Sequence, residues 1–158
     1  MKHNSTVKEQ SLHPAGGARS QVSTGSGISS HPELDERMLT ALRAASDKKG
    51  VDPVVLDLRE IASFTDYFFI VSGMNERQVQ AIADEIYERL KHAGAPAARV
   101  EGYKTAEWIL LDYGDFVVHV FAEKARAFYD LERLWRESRR VPLPPELNDP
   151  AGSLRTEL

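Results

Sequence analysis

The spacing of apolar side chains changes several times along this chain, and each change marks an element. Leu34, Met38, Leu42 and Ala45 recur at helical spacing. Ser30 and Glu33 around Pro32 resemble a capping box at the start of that helix, and Gly50 lies past its end. "DPVVLDL", residues 52–58, is rich in branched residues and reads as a short strand. "TDYFFIVSG", residues 65–73, reads as a second strand, with no charge after Asp66. "NERQVQAIADEIYERLKHAG", residues 75–94, is the clearest helix. Asn75 caps it, Gln78 closes the box, Gly94 ends it, and Val79, Ile82, Ile86, Leu90 and Ala93 form one apolar face. "ARVEG" reads as a short strand. "AEWILLDYGDFVVHVFAEKAR", residues 106–126, reads as two strands joined at Gly114-Asp115 and running into a helix. "KARAFYDLERLWRES" then predicts one final helix with Phe128, Leu131 and Trp135 on one face. The order α-β-β-α-β-β-β-α predicts a single domain of the α/β (α+β) class, a mixed five-stranded sheet packed by helices.

The hairpin can be read by parity. With Gly114 and Asp115 as the turn, Tyr113 pairs with Phe116, Leu111 with Val118, and Ile109 with Val120. One face is then Ile109, Leu111, Tyr113, Phe116, Val118 and Val120, apolar enough to lie under helices. The other is Trp108, Leu110, Asp112, Val117, His119 and Phe121. That mixed face has three readings: a half-covered core with one hydrogen-bonded histidine, a carboxylate–histidine catalytic pair, or a surface for a partner.

Composition narrows the choice. The chain has 158 residues and a formal net charge of −4, which argues against a general nucleic-acid binder. It has no cysteine, so thiolate chemistry and cysteine-ligated metals are excluded. No run of apolar residues reaches the length of a membrane-spanning helix, and no apolar region follows Met1-Lys2 as a secretory signal requires. Residues 1–30, rich in Ser, Gly and Thr, are expected to be a disordered tail, in which His3 and His13 are solvated, as is His31 just beyond it. Pro142, Pro144, Pro145 and Pro150 predict an extended tail over 141–158, which leaves 31–140 as the folded domain. Ser63, Ser72 and Ser138 sit in no nucleophile elbow, and "IVSGMNERQ" has neither a P-loop nor a dinucleotide fingerprint. No metal-ligand cluster is apparent.

Several signatures occur in order along the core: Thr65-Asp66 before a hydrophobic strand, Ser72-Gly73 before a helix, Glu101-Gly102, Trp108 with Asp112, Gly114-Asp115, His119-Val120-Phe121, and Tyr129-Leu131-Glu132-Leu134-Trp135. With them the chain resembles, over roughly residues 34–136, the ribosomal silencing factor family, also called the Iojap-related family. The resemblance implies a nucleotidyltransferase-like topology and a protein that works by binding, with no cofactor. It implies docking on the large ribosomal subunit at the intersubunit face, through ribosomal protein L-fourteen. The bulk of the bound factor then blocks joining of the small subunit and represses translation under nutrient limitation. A role in large-subunit biogenesis, a homodimeric free state and the bacterial cytoplasm, rather than an organelle, are also implied. On this reading Trp108, Phe121 and Leu110 are apolar anchors, and Asp112, Asp66 and Glu101 pair with basic groups of the partner. His119 either titrates near neutral pH or is a hydrogen-bonded structural residue. "LERLW" reads as core packing, and Arg133, Arg136, Arg139 and Arg140 either stay solvated or graze ribosomal RNA. The rivals are a nucleotidyltransferase-like enzyme on the same fold, using Asp57, Asp66 and Asp112, and a dimeric adaptor without a ribosomal role.

Overall fold

The computed structural model describes residues 34–148. The expected N-terminal tail, its histidines and the Ser30–Glu33 cap lie outside the described residues. The elements are α1 (Glu36–Asp47), β1 (Val51–Asp57), β2 (Tyr67–Gly73), α2 (Glu76–His92), β3 (Arg99–Glu101), β4 (Trp108–Asp112), β5 (Phe116–Ala122), α3 (Glu123–Tyr129), α4 (Leu131–Leu134), β6 (Arg139–Arg140) and α5 (Pro145–Asn148). One mixed sheet of six strands runs in the order β3-β4-β5-β2-β1-β6. The central pair β2 and β5 is parallel, and every other pair is antiparallel.

Local chemistry explains most element ends. Helix α1 is capped by Asp35, whose carboxylate accepts the Met38 N–H at 3.0 Å. Asn75 caps α2 by accepting the Gln78 N–H at 2.8 Å. The Gln78 amide accepts from Met74 N–H and donates to the carbonyls of Lys48 and Lys49, so it ties the start of α2 to the end of α1. Val79, Ile82, Ala83, Ile86 and Leu90 of α2 are buried against the sheet, whereas Ala93 falls past the last turn and is exposed. Gly94 follows with φ +84°.

The hairpin register is the one the parity argument requires: Ile109 faces Val120, Leu111 faces Val118, and Tyr113 N–H donates to Phe116 O at 2.9 Å. Ile109, Leu111, Tyr113, Phe116, Val118 and Val120 join one core cluster with the apolar faces of α1 and α2. The opposite sheet face carries a smaller cluster: Leu56, Leu58, Phe68, Ile70, Val117, Phe121 and Leu131. It is covered in part by α3, α4 and the loop between β1 and β2, with Phe64, Trp108, Leu110 and Trp135 at its margin.

Three expectations about the C-terminal part change. The sheet has a sixth strand, Arg139–Arg140, paired with Asp57 and Leu56. A two-residue ladder of arginines carries no alternation to read. Residues 141–148, expected as the start of an extended tail, contribute Val141 and Leu147 to the core, and Val141 N–H donates to Val55 O at 2.9 Å. Pro145 opens the short helix α5, and the prolines of this segment leave the intervening apolar residues free to pack. Finally, the single helix expected over residues 124–138 is broken. Asp130 adopts φ 48° and ψ 52°, which ends α3 and starts α4. Asp tolerates this left-handed conformation better than most residues.

Candidate partner-binding surface

The mixed face of the hairpin builds its site around Trp108. Its strand position is fixed from both sides, by pairing with Phe121 on β5 and by the tight link from β3. Gly102 in that link has φ +80°, and a Cβ there would lie 2.1 Å from Trp108 O, so only glycine lets the chain turn so close to β4. The indole N–H donates to His119 Nδ1 at 3.0 Å. That bond places the imidazole proton on Nε2, which is buried with no hydrogen-bond partner among the described residues. The ring also meets Phe68 edge-on at 4.3 Å. Burial pushes the His119 pKa down to about 3, so the side chain is neutral and structural at neutral pH.

His119 and Phe121 do not reach solvent: their exposures are 3% and 0%. The expectation that they touch a partner directly is corrected by Trp108, Phe68 and the α3–α4 segment, which lie over them. They support Trp108 from below. Trp108 and Leu110 remain half-buried at the edge of the covered area.

The carboxylates are also engaged. Asp112 accepts the Gly114 N–H at 2.8 Å and pairs with Arg99 at 3.3 Å, and Arg99 also pairs with Glu101. Two of the three acids predicted to meet a basic partner, Asp112 and Glu101, therefore already share an arginine of β3. Asp66 opens β2 beside the hairpin turn, where its N–H donates to Asp115 O at 3.0 Å and Thr65 Oγ1 donates to Gly114 O at 2.9 Å. Trp108 lies at the other end of the hairpin, about 16 Å away along the strand. Asp66 and Trp108 thus do not form one site. Asp57 is held below the usual carboxylate range, against a desolvation cost, by the Arg59 side chain, the Arg59 backbone N–H and Arg139. Among the described residues no three acidic or histidine side chains come together as metal ligands.

What the structure brings to Trp108 is aromatic. Tyr129 lies tilted beside it with ring centroids 4.7 Å apart, and Phe128 meets Tyr129 edge-on at 4.9 Å. Phe128 is 79% exposed, Leu134 67% and Tyr129 46%. The sequence pattern predicts Phe128 on one face of a single helix with Leu131 and Trp135, and Leu134 within core packing. Leu131 is buried and Trp135 packs on Phe64 and Phe68, but the break at Asp130 turns Phe128 and Leu134 outward. One signal in the sequence pointed this way. "FYDLERLW" holds five large apolar residues in eight positions, more than one helical stripe can bury. The result is exposed apolar surface beside Trp108: Tyr129 touches the indole, Phe128 stands on Tyr129, and Leu134 is exposed in the neighbouring α4.

The family model described as "Ribosomal silencing factor during starvation" matches residues 31–157. The chain belongs to the ribosomal silencing factor family. It is 43% identical over 108 residues to "Ribosomal silencing factor RsfS" of Halalkalibacterium halodurans, covering 68% of this chain and 92% of that one. A crystal structure from Bacillus halodurans superposes with a TM-score of 0.62 at 42% identity, over 68% of this chain and 98% of the other. "Mitochondrial assembly of ribosomal large subunit protein 1" of mouse is 31% identical over 124 residues, covering 77% of this chain and 53% of the mouse protein. The names carried by these silencing factors describe a regulatory role rather than a catalytic one, and the mouse relative's name refers to assembly of the large ribosomal subunit. Among the described residues no helix is long and apolar enough to cross a membrane.

Proposed function

We propose that this silencing factor lays the Trp108–Tyr129–Phe128–Leu134 patch on ribosomal protein L-fourteen at the intersubunit face of the large ribosomal subunit. Its bulk then keeps the small subunit from joining and so represses translation under nutrient limitation in the bacterial cytoplasm. A second duty in large-subunit biogenesis is supported by the mouse relative's name. The observation that carries the reading is the exposure of Phe128 against the Trp108–Tyr129 ring contact, with Leu134 exposed in α4, which a chain with no partner gains nothing by keeping in water. Recognition is therefore chiefly apolar, with Asp112 and Glu101 already sharing Arg99 as a partner. Arg133 and Arg136 flank the patch as exposed cations and are the groups placed to graze ribosomal RNA. In the free protein the same patch supports a homodimer, which hides it until the subunit competes.

Co-sedimentation with purified large subunits tests this. Trp108→Ala is expected to weaken binding by about 2 kcal/mol or more, roughly thirtyfold. A folded Trp108→Ala protein that binds as tightly as the wild type refutes the docking face. Binding of neither protein to large subunits refutes the ribosomal role.

A further inference from the structure

The break at Asp130 is what exposes the patch, and a straight helix is the alternative the sequence itself favours. In a continuous helix Phe128, Leu131 and Trp135 share one stripe. Something must select the broken form. The strongest candidate is Arg126, whose side chain is 12% exposed. Its guanidinium makes a two-pronged pair with Glu132, at 3.2 Å through Nε and 2.8 Å through Nη2. Nη1 donates to Ser72 Oγ at 2.9 Å and to Val51 O at 3.4 Å. Ser72 is 2% exposed in the central strand β2, and Val51 opens β1, so the fork is fastened to the rigid part of the sheet.

Arg126 and Glu132 are six residues apart. In a straight helix that separation is about 9 Å of rise and roughly 120° of rotation, so the two side chains leave different faces and no two-pronged pair forms. Across the break they meet. The pair is therefore specific to the bent conformation. It holds the Glu132 carboxyl below the usual range, chiefly through the Arg126 hydrogen bonds. Removing Arg126 leaves the Glu132 carboxylate only the longer contact to Arg140 at 3.8 Å, and removing Glu132 leaves the mostly buried guanidinium with neutral partners alone, Ser72 and Val51.

We infer that Arg126, clamped between Glu132 and the Ser72–Val51 strand ends, is a positioning residue that selects the broken helix and so presents Phe128, Tyr129 and Leu134 for docking. Arg126 touches no partner itself. The inference rests on the docking face proposed above only for its last step; the clamp and the bend stand on the geometry alone.

The test uses the full chain and two variants, Arg126→Met, which keeps the stem length, and Glu132→Gln, which keeps the shape. Hydrogen exchange of amides 127–135 and the near-ultraviolet circular dichroism of the Trp108–Tyr129 ring pair read the bend without a ribosome. Both variants are expected to exchange at least tenfold faster in 127–135, with β2, β5 and α2 unchanged, and to lose part of the aromatic signal. Arg126→Lys, which keeps the charge without the fork, is expected to restore less than half of the protection. Wild-type exchange and an unchanged aromatic signal in both Arg126→Met and Glu132→Gln overturn the clamp. Large-subunit affinity, measured by co-sedimentation, is expected to fall about tenfold in Arg126→Met. A loosened segment with undiminished affinity overturns the positioning role in docking. If Trp108→Ala also binds normally, the docking face itself has failed, which the exchange data leave separate.

Discussion

Moving from about pH 7 to about pH 5 should remove about 2 kcal/mol of folding stability through His119 alone. The imidazole is buried, its Nδ1 is taken by the Trp108 indole, and its pKa is pushed down to about 3. In the unfolded chain the same group takes a proton below its ordinary value of about 6.5. Between those two values the unfolded state holds a proton that the folded state refuses, so stability falls as the pH falls, by about 1.4 kcal/mol per unit. The loss starts near the unfolded value and stops growing near the folded one. Urea unfolding followed by tryptophan fluorescence, at a series of pH values, measures it. Comparison with His119→Asn isolates it, because asparagine offers an oxygen to the indole N–H and does not titrate. The gap between the two proteins should narrow by about 2 kcal/mol over this range. Asp57 and Glu132, both held below the usual carboxylate range, stay ionised here; their stabilisation is lost only as the pH falls further, through their folded values. Parallel pH profiles for the two proteins refute the account of a dry, neutral His119.

Phe128→Ser should change the unfolding midpoint little, about 0.5 kcal/mol or less, because the ring is already in water. The same variant should lose roughly fivefold or more in large-subunit affinity, measured by co-sedimentation. Gly102→Ala should destabilise by on the order of 2–4 kcal/mol, since its methyl meets the Trp108 carbonyl and φ is positive; a thermal melt within a degree or two of wild type contradicts this. Asn75→Ala removes the cap of α2 and should cost about 1 kcal/mol in denaturant unfolding, with subunit binding unchanged.

Much of the scaffold is legible in the residue order. The period of Val79, Ile82, Ile86 and Leu90 makes α2, and Asn75 and Gly94 set its ends. Gly114 and Asp115 set the hairpin register, and with it every side chain's face. Those are local facts, decided within a few residues by backbone geometry and by which side chains repeat. The in-order signatures carried the family, which the match over residues 31–157 then showed. Strand β6 and the packing of Val141 and Leu147 were not legible, because each depends on a distant strand being in place first.

The candidate surface divides along the same line. Sequence fixed that Trp108, Leu110 and His119 share a sheet face, since alternation leaves no other choice. It did not fix how much of that face the chain covers itself. Burial of His119 and Phe121, the pairing of Asp112 and Glu101 with Arg99, and the exposure of Phe128 are tertiary outcomes. The last of these turns on one backbone residue, Asp130, and on a pairing of Arg126 with Glu132 that a continuous helix forbids. Helical propensity over 123–137 favours a straight rod. A buried guanidinium that satisfies its donors only by reaching both Glu132 and the ends of two strands favours the bend, and that requirement exists only once the sheet has formed.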